Sequence, residues 1–206
     1  MRRKKKGYFI TFEGIEGSGK TTHCKLAAKY IKQKGFKVLL LREPGGTRIG
    51  EKIRHILLDR GNINMSVECE LLLYNAARIE LVKNVIIPAL KRGTIVLCDR
   101  FVDSTVAYQC FGGRLDRGMA ERVNDFASMD LIPKITFLLE SDVRRGLRRA
   151  GRSDRMELKS IAFHKRVQKG FLTLARENRS RFCIVKECPI EKGRKVIERR
   201  LDGLFG

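Results

Sequence analysis

Short apolar runs alternate along the chain with longer stretches in which apolar residues recur at helical spacing. That is the signature of buried strands alternating with amphipathic helices. Runs at 8–12, 37–41, 94–98, 134–139 and 181–185 read as strands. After the first, Leu26, Ala27, Tyr30 and Ile31 mark the inner face of a helix over 22–34. The longest predicted helix starts at about Ser66, a good N-cap two residues before Glu68, and runs to near Pro88. A short basic helix over 142–150 precedes a polar loop, a helix from 158 to about 176, and an amphipathic helix over 190–204. This alternation predicts a parallel sheet covered on both faces, with no internal repeat or low-complexity linker.

Composition narrows the picture. The 206 residues suit one α/β domain, which on folding buries roughly 70% of the surface of its unfolded chain. No run of about 18 apolar residues is present, so no membrane-spanning helix is expected. The basic start resembles the first part of a signal peptide, but the apolar stretch behind it is short and broken by Thr11 and Glu13. Cys24, Cys69, Cys98, Cys110, Cys183 and Cys188 are scattered without a C-x-x-C pair, which argues against a zinc site or a disulfide framework and for a reducing, cytoplasmic setting. Lysine and arginine number 44 against 23 acids, a net charge of +21. Such an excess allows nonspecific nucleic-acid contact, through a basic tail at 1–6 among other places. Aromatic residues do not interleave with the basic clusters as a stacking groove requires.

The chemistry begins behind the first strand. Gly14-Ile15-Glu16-Gly17-Ser18-Gly19-Lys20-Thr21 fits G-x-x-x-x-G-K-[ST], between a strand and a helix start. There, consecutive backbone N–H groups and the helix N-terminus cradle phosphate, while Lys20 reaches the outer phosphates. The Thr21 hydroxyl is a candidate Mg²⁺ ligand. The third predicted strand runs into Asp99, a carboxylate beside the phosphate loop that suits the same metal. The next residue, Arg100, cannot act as a base but can hold an anionic acceptor or stabilise transition-state charge. Tyr74 and Arg78, four apart on one helix, share a face. Such a pair suits a nucleotide, or equally packing with a surface charge.

Two further motifs weigh on that choice: Arg42-Glu43-Pro44-Gly45-Gly46-Thr47, and Asp99-Arg100-Phe101-x-x-Ser104-Thr105-x-Ala107-Tyr108-Gln109. With Phe12-Glu13-Gly14 opening the phosphate loop, Leu71 to Arg78, and Asp154-Arg155-Met156-Glu157, the chain closely resembles the thymidylate kinase family over essentially its whole length. The resemblance implies a three-layer phosphate-loop nucleoside-monophosphate-kinase fold, with a five-stranded parallel sheet flanked by helices and a short arginine-bearing lid at about 148–157. It implies transfer of the ATP γ-phosphoryl group to dTMP with Mg²⁺, by a homodimer. By position, Tyr74 would stack on thymine, and Arg78 and Arg100 would hold the acceptor's phosphate or base. Tyr108 would lie against the deoxyribose, Thr105 and Gln109 would line the base pocket, and Pro44 would shape the loop beside it. Glu16 would meet the sugar 3′-OH or the metal region. The base-stacking position commonly holds Phe, so Tyr74 brings a hydroxyl that needs a partner.

Members of that family place a catalytic arginine in the phosphate loop or in the lid. Positions 15–18 carry no cation here, whereas Arg148, Arg149, Arg152 and Arg155 sit in a glycine-containing segment. The expectation is that Arg152, with Arg149 or Arg155 assisting, closes over ATP. Alternatives are another phosphate-loop kinase, acting on a nucleoside or a different nucleotide, and a nucleotide-dependent nucleic-acid-binding protein.

Overall fold

The computed structural model describes residues 7–151 and 154–205. The basic tail at 1–6 and Arg152 lie outside the described residues. Five parallel strands, β1 (Phe9–Glu13), β2 (Val38–Arg42), β3 (Ile95–Asp99), β4 (Ile135–Leu139) and β5 (Phe182–Val185), line up in the order β2-β3-β1-β4-β5. The helices around them are α1 (Lys20–Gln33), α2 (Arg48–Leu58), α3 (Val67–Leu81), α4 (Ile87–Lys91), α5 (Val102–Thr105), α6 (Arg117–Ser128), α7 (Val143–Ala150), α8 (Ile161–Glu177) and α9 (Ile190–Phe205).

Strand β1 is buried along its whole length because strands and helix layers enclose it on every side. One face of the sheet packs Ile10, Phe12, Ile95, Leu97 and Phe137 against α1 and α9. On the other, Phe9, Val96, Cys98 and Phe101 meet Leu81, Val82 and Ile86. Such near-continuous apolar strands belong to parallel sheets covered on both faces. Strands β1 and β3 pair in register from Phe9 opposite Val96 to Phe12 opposite Asp99. Their carboxyl ends, the phosphate loop and Asp99, therefore open side by side where the chain crosses from one half of the sheet to the other. A crevice at that edge is where open α/β sheets bind ligands.

The strands match the expected positions to within a residue. The helix expected to continue from 66 to near 88 instead widens after α3 into a π turn at Val82–Ile86 before resuming as α4. Pro88 lies in the first turn of α4, where a missing N–H is tolerated, and the wider turn absorbs the break in the ladder. Ser66 does cap α3, accepting from Cys69 N–H. The helix expected from 158 begins at Ile161, because the Ser160 side chain accepts from Phe163 N–H and fixes the start there.

Helix α7 meets the phosphate loop backbone to backbone. A Cβ on Gly146 would lie 2.5 Å from the Glu16 carbonyl oxygen, so only glycine fits. Gly146→Ala must push α7 off the loop, and we expect a loss of about 1–3 kcal/mol, read as a lower Tm in thermal denaturation. An unchanged Tm would mean that the contact yields freely.

Candidate functional site

The phosphate loop takes its shape from glycines that L-residues with a Cβ could not replace cheaply: Gly14, Gly17 and Gly19 have φ of 141°, 63° and 89°. Lys20, the first residue of α1, folds back and donates from Nζ to the Ile15 carbonyl at 2.7 Å. Burial, and then the charge of Arg100, bring its ammonium down to about 8. The Ser18 hydroxyl is buried with no hydrogen-bond partner among the described residues, as expected of a cradle built for an anion. The Thr21 hydroxyl donates to Asp99 across the mouth of β3. Among the described residues no group of three or more His, Cys, Asp or Glu forms a metal cage. Hard oxygens from Thr21 and Asp99 alone suit a cation that keeps water and phosphate as its other ligands.

Arg100 follows with φ +75°, a left-handed conformation that turns its side chain back over the loop. Its Nη1 donates to the Gly14 carbonyl at 3.0 Å and to Ser104 Oγ at 3.1 Å. Its Nη2 donates to Glu16 Oε1 and to Tyr108 Oη, both at 3.1 Å, and the Tyr108 hydroxyl donates in turn to Glu16 Oε1. Burial works against the Arg100 charge, but the surrounding oxygens of Tyr108, Glu16, Asp99 and Glu13 outweigh it and hold the guanidinium charged. Burial alone would push the Glu16 carboxyl up. His164, Arg100 and Lys20 overcome that and hold it far below the usual carboxylate range.

Two cavities flank the loop. One, of about 260 Å³, gathers Glu16, Arg100, Pro44, Tyr74, Arg78, Thr105, Tyr108 and Gln109, so the sequence-predicted acceptor residues share one space. The other, of about 380 Å³, lies over Gly17 to His23 and is bounded by Arg149, Lys186, Glu187 and Cys188. Within the first, Gln109 donates from Nε2 to Glu70 at 3.0 Å, and Thr105 Oγ1 is buried without a hydrogen-bond partner among the described residues. The half-buried Tyr74 phenol is pushed up by burial and then by Glu70. Glu70, and Arg54, which lines the same cavity and donates to the Pro44 carbonyl at 2.9 Å, were not picked out from the sequence, and Glu43 stood there only inside the motif around Pro44, without a role. Glu70 and Arg54 lie in different elements, and no local spacing marks them.

Arg78 borders the cavity, yet its fork is taken up by protein. Nε and Nη2 donate to Glu43 Oε2 at 2.9 and 2.8 Å, and Nη1 donates to Asn75 and Asn124. Burial pushes the Glu43 carboxyl up, with Arg78 opposing it. Arg155 does not fit the expected assisting role in this conformation. It is fully buried, donates from Nη1 to Glu70 and from Nε to the Leu57 carbonyl, and so anchors the lid segment to α2 and α3. Arg149 does border the second cavity, where its Nη2 donates to Glu187 Oε1 at 3.0 Å and to the Ser141 hydroxyl.

A family model described as thymidylate kinase matches residues 12–197. The chain is 50% identical over 188 residues to the thymidylate kinase of Geobacter sulfurreducens, covering 87% of this chain and 88% of that protein. It is 43% identical over 182 residues to that of Thermoanaerobacter pseudethanolicus, covering 87% and 89%. The crystal structure of thymidylate kinase from Ehrlichia chaffeensis superposes with a TM-score of 0.79 at 34% identity, covering 98% of this chain and 100% of that one.

The buried Arg78–Glu43 pair yields a direct stability test. Arg78→Met strands the Glu43 charge and is expected to cost about 3–5 kcal/mol in urea denaturation. The double variant Arg78→Met/Glu43→Gln, with no charge left to strand, is expected to recover part of that loss.

Proposed function

This chain belongs to the thymidylate kinase family and is a kinase that phosphorylates dTMP to dTDP; we propose that its two cavities divide the reaction, with ATP over the loop and α1 and dTMP on the side of Tyr74 and Arg100. The observation that carries this reading is the Arg100 fork, held between the Gly14 carbonyl, Glu16 and Tyr108 in the first space, while Gly17, Lys20 and Thr21 line both. An acceptor phosphate is already a competent nucleophile, so the protein supplies alignment and charge rather than a base. A dTMP phosphate oxygen bonds to the γ-phosphorus as the bond to the β,γ-bridging oxygen breaks, and ADP leaves. Lys20 and Arg100, which line the same cavity, both bear on the negative charge. Tyr74 faces the base, Thr105 and Gln109 line its pocket, and Pro44 bounds it. Tyr108 lies against the deoxyribose, and Glu16 meets its 3′-OH side. Arg78, committed to Glu43, Asn75 and Asn124, supports the wall of that pocket instead of gripping the phosphate.

The phosphate loop fits ATP: the Ser18 hydroxyl, without a hydrogen-bond partner among the described residues, and the Lys20 ammonium sit where an anion is cradled. Thr21 and Asp99 would hold Mg²⁺, which when bound neutralises phosphate charge. Arg152 is our candidate for closing the lid over ATP, supported by a phosphate loop without a cation at 15–18 and by the commitment of Arg155 to Glu70. Free thiols at all six cysteines suit a reducing, cytoplasmic compartment. Among the described residues no helix is long and apolar enough to cross a membrane. The charge of +21 supports weak, salt-sensitive contact with nucleic acid beside the kinase activity.

A homodimer is supported by apolar exposure on and beside two helices that pack together, α3 and α6. Leu72 is 61% exposed, Phe126 76% and Ile132 71%. Phe126→Asp is expected to convert a dimer to a monomer in sedimentation velocity. A wild-type protein that sediments as a monomer at micromolar concentration would refute the dimer.

The activity itself is tested by coupled ADP release with ATP and Mg²⁺, comparing dTMP, dUMP, dCMP, thymidine and buffer. Turnover should be far highest with dTMP, and Arg152→Ala should lower kcat by about 100-fold or more. Equal turnover with thymidine would argue against an acceptor phosphate held by Arg100. Near-normal kcat in Arg152→Ala would remove that arginine from the mechanism.

A further inference from the structure

His164, in the first turn of α8, is fully buried, and neither ring nitrogen has an aligned hydrogen-bond partner among the described residues. A buried polar group left in that state costs about 1–3 kcal/mol, and an apolar side chain would fill the space without the penalty. The geometry shows what the imidazole faces. Its Nδ1 lies 3.2 Å from Glu16 Oε2 in the phosphate loop. That oxygen is likewise buried and without an aligned partner, whereas the other, Oε1, accepts from both Arg100 and Tyr108. The carboxylate thus has one oxygen bonded to Arg100 and Tyr108 and the other facing the imidazole.

Aromatic side chains pack beside it. Phe163 stands edge-on to the imidazole, with ring centroids 5.3 Å apart at 86°. Tyr108 packs on Phe163 and Phe171 of the same helix. Helix α8 also packs extensively against the π turn Val106–Gly112 that carries Tyr108 and Gln109. His164 therefore links α8 to the loop at the same place where Tyr108 approaches Glu16 from the other side.

We propose that His164 is a positioning residue for the acceptor site, donating from Nδ1 to Glu16 Oε2 so that Oε1 is presented to Arg100, Tyr108 and the sugar of dTMP. This rests on the reading that Glu16 faces the acceptor sugar. The imidazole touches no substrate. It acts by denying Glu16 its other rotamers, which is how a buried neighbour holds a binding group in productive geometry.

The test is a double-mutant cycle on steady-state kinetics. Its variants are His164→Leu, His164→Asn, Glu16→Gln and Glu16→Gln/His164→Leu, with thermal denaturation of each. The amide nitrogen of Asn reproduces the Nδ1 donor, which Leu lacks. His164→Leu should raise KM for dTMP roughly tenfold, the loss of one buried donor to a charged group, while KM for ATP stays within about twofold. His164→Asn should recover most of that loss, and it also serves should the Leu variant fail to fold. In the Glu16→Gln background, adding His164→Leu should change KM for dTMP by less than about twofold, the margin of simple additivity. A tenfold effect that persists without the Glu16 carboxylate, a parallel rise of both KM values, or Asn no better than Leu would overturn the proposal and leave His164 a packing residue. If Glu16→Gln alone leaves KM for dTMP unchanged, the assignment of Glu16 to the acceptor sugar fails, and this proposal fails with it.

Discussion

A buried carboxylate at the end of β1 holds the site in shape. Glu13 accepts from Phe101 N–H at 2.7 Å and from the Ser104 hydroxyl at 2.6 Å, with no exposure to solvent. It stands directly before the phosphate loop and grips the turn that follows β3, so the two strand ends cannot move independently. The grip also explains how Arg100 keeps its left-handed backbone, an unfavourable conformation for a long side chain that the neighbouring bonds over-determine. Burial, and next the charge of Asp103, lift the Glu13 carboxyl to about 8. A group so costly to bury makes sense only where its two hydrogen bonds fix something that water could not.

The same logic recurs farther out. Arg78 with Glu43, Arg155 with Glu70, and Arg181 with Asp103 are ion pairs whose acids are each at least 95% buried. Buried pairs contribute little net stability, because desolvation offsets attraction, but breaking one is expensive. They suit parts that must keep a single arrangement. The first ties α3 to the loop after β2, and the second ties Arg155, beyond α7, through Glu70 to Gln109 in the cavity beside Tyr74. Arg155 is thus held in the interior, while Arg149 near the end of α7 pairs with Glu187 where both are partly solvated.

Chemistry in this molecule is placed by backbone as much as by side chains. The contact between Gly17 and Gly146 brings α7 onto the phosphate loop with no side chain between them. The tightly spaced apolar strands then make that placement rigid, since close-packed interiors resist small displacements.

Much of this was legible in the chain. Apolar runs and helical spacing located the five strands to within a residue, because a sheet buried on both faces leaves its strands no polar alternative. The phosphate loop, Asp99, Arg100 and the Tyr108 segment could be read because their residues lie close together in sequence and their glycines and charges have few other uses. Glu70 and His164 could not, nor could the pairing roles of Glu13 and Glu43, which stand inside motifs. Each looks like an ordinary charged or polar residue until its partner arrives from another element, 35 positions away for Glu43 and Arg78 and 85 for Glu70 and Arg155. The same is true of Arg155, which the resemblance placed in the lid and the fold buried. Local sequence determined which groups the protein has for binding phosphate. Tertiary packing decided which remain available, because only burial and long-range pairing determine whether a charge faces a cavity or another charge.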